Sequence, residues 1–276
     1  MKTLTLVRAA AFAALTTFFT SRSASANPRP LPFTYQHEQL GKGESEIEQF
    51  VDLTPTHVRA LDTGKSIWYG LTEFTTEYET GISDRLELGL YVTLVPTASP
   101  EQYVSVPQAI EGNGIKQRLR WGLAPTGAWP VDVSLYGETS ENEQEFELEG
   151  KVLLQRRFSF VRLIANLSAE QEYYYRGQKR DFVLNPSAGV TFDPIPELQP
   201  GLETWVQGEW PEVNAPKRRT FELGPHVYVG PTLLWQISRI WWSNGVYVRA
   251  TDRNHTLAPG ESFGNVWVRT VIGIGL

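Results

Sequence analysis

The 276-residue chain contains no cysteine, which excludes disulfide staples and thiolate metal sites. Beyond its N-terminal stretch it also lacks any apolar run of the roughly 20 residues that a membrane-spanning helix needs. No segment shows the periodicity of an amphipathic helix. Neither sign of charge dominates: 25 Lys and Arg stand against 31 Asp and Glu, a net −6 with both signs dispersed. That balance gives no basis for a nucleic-acid partner. The mean hydropathy is negative. This argues against a helical membrane protein, but not against one that crosses with strands, whose alternating residues average out.

A nucleophile–base pair is missing as well. The four histidines are His37, His57, His226 and His255, and none stands beside a serine at usable spacing. His226 is followed by Val227 and Tyr228, and reads as a residue hydrogen-bonded to a neighbour such as Glu222. Asp252, His255 and Glu261 share a polar loop, yet nothing fixes a calcium geometry there. Gly41-Lys42-Gly43 is too short for a phosphate loop. No catalytic, cofactor or metal residue is assigned, no cofactor is expected, and the chain does not read as an enzyme.

What is present begins with Lys2 and Arg8, an apolar run from Ala9 to Phe19, and the small-x-small site Ala24-Ser25-Ala26. That layout predicts a secretory signal peptide over 1–26, with Asn27 opening the exported chain. Residues 27–43, with Pro28, Pro30 and Pro32, predict an extended lead-in. Residues 44–276 show no composition shift and read as one all-β domain.

Alternation defines that domain. Leu86, Leu88, Leu90, Val92 and Leu94 take every second position, with Arg85, Glu87, Gly89, Tyr91 and Thr93 between them. Successive strand side chains point to opposite faces, so the segment has one apolar and one polar face. The pattern recurs at Ile115–Leu123, Phe146–Leu154, Val161–Ala169 and Val266–Leu276, and predicts about twelve strands. Tight junctions near Gly81, Gly127, Phe158, Pro196 and Gly230 alternate with longer ones, notably 96–113 and 251–262. Aromatic residues gather near strand ends: Trp68, Tyr69, Trp121, Trp129, Tyr173 to Tyr175, Trp205, Trp210, Trp241 and Trp242. Alternation alone also fits a soluble sandwich or lipocalin-like barrel. Strand length, alternating connections and aromatic ends favour an antiparallel up-and-down barrel whose apolar face meets lipid.

The segment from Glu77 to Tyr91 resembles the strand–turn–strand hairpin of Gram-negative outer-membrane β-barrel proteins. The last strand resembles the assembly signal of that class, although it ends in Leu276 where the class usually has Phe. The resemblance points to small, uncharacterised barrels of about twelve strands. It implies an outer-membrane location, short periplasmic turns with the lead-in on that side, and longer outer loops. Its partners would be outer-membrane lipid and lipopolysaccharide, the assembly machinery reading the last strand, and a small polar solute. The oligomeric state would be monomeric or weakly oligomeric.

In such a barrel the gap residues line the lumen. The candidates are Arg85, Glu87, Lys116, Arg118, Arg120, Asp132, Glu138, Glu145, Glu147, Glu149, Lys151, Arg162, His226 and Arg269. The turn near Gly127 is expected to set Lys116 opposite Glu138, and the next loop to set Asp132 near Lys151. Opposed charges either pair and plug a barrel or form a transverse field that selects solutes. The expected function is a porin-like channel or binder for small polar solutes. A closed barrel with a structural or surface role is the alternative, and a barrel-embedded lipid hydrolase comes third.

Overall fold

A computed structural model describes residues 26–59, 66–97, 109–176, 180–195, 197–211, 226–251 and 264–276. The alternating segments form strands β1 (Ser45–Arg59), β2 (Ser66–Ser83), β3 (Leu86–Thr97), β4 (Ala109–Gly122), β5 (Asp132–Glu141), β6 (Glu145–Phe158) and β7 (Val161–Tyr174). They continue as β8 (Arg180–Leu184), β9 (Ser187–Phe192), β10 (Leu198–Gln207), β11 (Glu209–Pro211), β12 (His226–Ile237), β13 (Ile240–Arg249) and β14 (Val266–Gly275). All pairings are antiparallel between neighbours, and β1 pairs with β14 to close the sheet into a barrel. Closure leaves the described wall no open edge, which is what a sheet needs to cross a membrane.

Fourteen segments make twelve staves. Along β7, Leu184 faces Ala169 and Ser187 faces Asn166, so one register runs through β8 and β9. Between them Pro186 has no N–H to give the ladder. The same continuity joins β10 to β11, since Gly201 faces Thr191 and Glu209 faces Val183. The expected count of about twelve therefore holds.

Two expected boundaries move. The turn expected near Gly81 falls at Asp84-Arg85, because β2 runs on to Ser83. The turn anticipated at Gly230-Pro231 does not exist, because β12 runs through both residues. The β12–β13 ladder skips that pair, so the missing proline N–H costs nothing there. The turn lies instead at Ser238-Arg239, where Ser238 has φ 56° and joins Ile237 to Ile240. Ser159 has φ 53° and joins Phe158 to Val161 in the same way. Two-residue hairpin turns require such left-handed residues.

The apolar face points outward. Leu90, Val92 and Leu94 on β3, Leu119 on β4, Leu163 and Leu167 on β7, and Ile272 and Ile274 on β14 are all exposed. Between them Glu87, Arg118, Arg120 and Arg162 are buried inside. A water-soluble barrel would show the reverse, whereas a lipid-facing one needs this arrangement. Trp121, Trp129 and Trp242 also lie on the outer surface, but Trp205 and Trp241 do not. Those two point into the lumen, against the expectation of an interfacial role. The side chains of Trp68, Tyr69 and Trp210 lie outside the described residues.

One end of the barrel carries the short turns and the last strand's terminus, and the other carries the longer connections; we call them the turn end and the loop end. The lead-in is not outside the barrel. It enters from the turn end and fills that half of the lumen, with Leu31, Thr34, His37 and Leu40 fully or almost fully buried.

Candidate functional site: a lumen in two halves

An irregular segment can enter a barrel only if the wall satisfies its backbone. Inward side chains do this at intervals. Leu40 N donates to Glu87 Oε2 at 2.9 Å, His37 N to Gln155 Oε1 at 3.1 Å and Phe33 N to Glu203 Oε1 at 3.0 Å. The His37 ring meets Ser134 Oγ through Nδ1 at 2.8 Å, a structural contact that ties the plug to β5. Pro28, Pro30 and Pro32 suit such a strap, since they bring no N–H that would need a partner.

Behind the plug lies a buried charge network. Arg118 Nε donates to Glu77 at 2.7 Å and to Tyr91 Oη at 2.6 Å, and its Nη1 donates to Glu87 at 2.7 Å. Its Nη2 pairs with Glu79. Arg120 meets Glu87 at 2.8 Å. The plug adds Arg29, whose Nη2 lies 3.0 Å from Glu48 and 3.2 Å from Glu79. Gly89 makes the packing possible, because a Cβ there would stand 2.7 Å from Arg118 Nε. Burial opposes the Arg29 charge, but Glu48 above all, with Tyr35, Glu77 and Glu79, raises its pKa well beyond the usual value. Glu48, Glu77 and Glu79 are close enough together to hold a metal ion. In this structure the Arg29 and Arg118 guanidiniums serve them instead.

The loop-end half is different. A cavity of about 420 Å³ opens above the plug, floored by Phe33 and Tyr35. Among the described residues its wall holds five carboxyl groups, Asp52, Glu73, Glu138, Glu149 and Glu170, against three cations, Lys116, Lys151 and Arg269. Lys116 Nζ stands 3.5 Å from Glu138, Lys151 2.8 Å from Glu149, and Arg269 2.8 Å from Asp52. Pairing leaves an acidic excess. On the β10–β14 side the wall is aromatic: Phe33 stacks on Trp205 at 4.2 Å, and Trp205 stacks on Tyr228 at 4.3 Å. Trp267 stands edge-on to Trp205 at 5.1 Å.

Most sequence candidates fall where alternation put them. Glu87, Arg118 and Arg120 belong to the filled half, while Lys116, Glu138, Glu149, Lys151 and Arg269 line the chamber. Glu147 lies on the same inward row of β6 and approaches Lys116 at 3.9 Å. Glu145, nearest the loop end of that row, accepts from Asn142 at 3.1 Å. Arg162 bonds Gln36 of the plug at 2.9 Å and Asp193 at 3.1 Å. His226 is buried and faces inward at the start of β12; the proposed partner Glu222 lies outside the described residues. So do Asp252, His255 and Glu261.

Two expectations are corrected. Arg85 is not in the lumen: it sits in the exposed β2–β3 turn and donates to Leu123 O at 3.1 Å. Asp132 is inward and buried but faces Gln155, not Lys151, and accepts from Gly127 N at 2.7 Å to close its own turn. The tight β5–β6 connection fixes this register, which sets Lys151 opposite Tyr136. Lys116 likewise faces Ser140 directly and reaches Glu138 on the diagonal.

The residues missed in sequence include the carboxylates Glu46, Glu48, Asp52, Glu73, Glu77, Glu79, Glu170 and Glu203, together with the plug's Arg29, Phe33 and Tyr35. Glu77 and Glu79 alternate with Thr76, Tyr78 and Thr80 on a strand with no leucine stripe, so the inward face gave only a faint signal.

No family model matches the chain, and no curated protein matches it in sequence. Solved structures do match its shape. An outer membrane channel from Pseudomonas putida F1 aligns with a TM-score of 0.58 over 87% of this chain and 98% of that one, at 9% identity. The NanC porin aligns with a TM-score of 0.54 over 83% of this chain and 98% of its own, also at 9% identity. The chain thus has the fold of a bacterial outer-membrane β-barrel.

Proposed function

We propose that the protein is an outer-membrane channel that admits small polar solutes, cations in preference, from the loop end into its lumen. The observation that carries this reading is the open chamber, whose wall has five carboxyl groups against three cations among the described residues. In a confined space of low dielectric such an excess raises the local concentration of cations and lowers that of anions. The aromatic wall supports the same preference, because ring faces attract cations. On this reading the short turns face the periplasm and the longer connections face outside, the arrangement usual in outer-membrane barrels.

The filled turn end favours a second reading, a closed barrel with a structural or surface-interaction role. Leu31, Leu40 and Thr34 are buried there and the plug's amides are held by wall carboxylates. Planar-bilayer recording on the purified full chain separates the two. Discrete conductance steps, with a reversal potential of cationic sign in a KCl gradient, are expected of the channel. A correctly folded sample that never conducts contradicts it.

A further inference from the structure

The inward face of β1 and β2 carries a concentration of negative charge that the wall does not neutralise by itself. Glu46 faces Glu79 and Glu48 faces Glu77 directly across the ladder. Like charges so placed repel, and all four residues are at most 1% exposed. Arg118 on β4 answers Glu77 and Glu79. Glu46 and Glu48 are met from the N-terminal segment. Arg29 Nη2 lies 3.0 Å from Glu48, and its guanidinium stands over the Phe50 ring of β1 at 5.1 Å. The backbone nitrogen of Asn27 lies 2.7 Å from Glu46 Oε2, and Trp241 Nε1 donates to the other oxygen.

That Asn27 nitrogen follows the Ala24-Ser25-Ala26 site. Cleavage there turns it from a neutral amide into a primary ammonium, at the position where a buried carboxylate receives it. Two cationic groups, two residues apart, then face the two carboxylates that the wall leaves unmatched.

We propose that Glu46 and Glu48, backed by Phe50 and Trp241, form a binding site for a guanidinium with a neighbouring primary ammonium, and that the chain's own N-terminus, freed by cleavage after Ala26, is its resident ligand. The site rests on the lumen reading above but not on passage of any solute. Its ligand class is guanidinium-bearing amines, which bind only where the N-terminal residues have left.

Chemical rescue tests the guanidinium half. Arg29→Ala should lower the thermal unfolding midpoint of the detergent-folded barrel by several degrees. Methylguanidinium at millimolar concentration should restore it, with no effect on the parent protein or on Arg29→Ala combined with Glu48→Gln. Equal stabilisation of all three, or of none, overturns the site. The ammonium half needs no variant. Mass spectrometry of the exported protein should find Asn27 first. Acetylation of the folded barrel should modify its α-amine about tenfold more slowly than exposed Lys42, because carboxylate pairing keeps the amine protonated. A chain starting elsewhere, or equal rates, overturns it. Neither readout involves conductance, so a failed channel reading leaves both interpretable.

Discussion

The two halves of the lumen are built from the same staves and the same alternation, yet one is filled and narrow and the other is open. At the turn end Arg118 is fully buried among Glu77, Glu79 and Glu87, and the N-terminal segment occupies the remaining space. At the loop end Lys116, two residues earlier on the same face of β4, keeps 38% of its side chain exposed and reaches Glu138 across 3.5 Å. The contrast shows that alternation decides which residues enter a barrel, but not whether they close it. Closure depends on planar guanidiniums, which can satisfy several carboxylates at once, and on a strap of chain that brings its own groups. Lysines, as compact point charges on flexible stems, leave room for water and solute.

Three experiments press on that contrast, from the largest expected effect to the smallest. Deleting residues 28–40 removes the strap alone, and single-channel conductance should rise about tenfold as the narrow half is vacated. An unchanged conductance would mean that the strap does not block the path. Arg118→Ala strips three buried carboxylates of their main counter-charge and should cost ~3–5 kcal/mol in unfolding free energy. Lys116→Ala, in the wetter half, should cost less than ~1 kcal/mol, and similar losses for the two would erase the distinction. Replacing Glu73 and Glu170 by Gln leaves three carboxylates against three cations in the chamber. Cation preference should then fall by about two- to threefold in permeability ratio, read from the reversal potential.

The outward face was legible because lipid tolerates little besides apolar residues, and a strict period of two exposes that demand. Leu90, Val92, Ile272 and Ile274 show it plainly. The hairpin turns near Gly127 and Phe158 were equally legible from their polar or glycine-containing junctions, whereas the turn expected at Gly81 falls at Asp84-Arg85. Inside, the pattern says less. Trp205 and Trp241 looked like interface aromatics, but a lumen of this width has room for rings, and Gly273 clears the space for Trp241: a Cβ there would lie 2.2 Å from Cε2. Gly230-Pro231 looked like a turn because a proline breaks a ladder; here the ladder is already interrupted at that pair. The plug was the least legible element. Proline-rich, irregular chain reads as a lead-in whether it lies outside a barrel or within it. Its one signal is that Leu31, Phe33, Tyr35 and Leu40 are too apolar for a solvated strap.

The central claim, a lumen filled and narrowed at the turn end by the N-terminal segment and open at the loop end, can be read directly because the chain has no cysteine to interfere. Thr75→Cys places a thiol in the chamber wall and Thr34→Cys places one in the fully buried plug. Both are exposed to a membrane-impermeant thiol reagent in the folded, reconstituted protein. Rapid modification at position 75 with protection at position 34 until the barrel unfolds is the predicted result, and equal rates at the two positions would contradict the account.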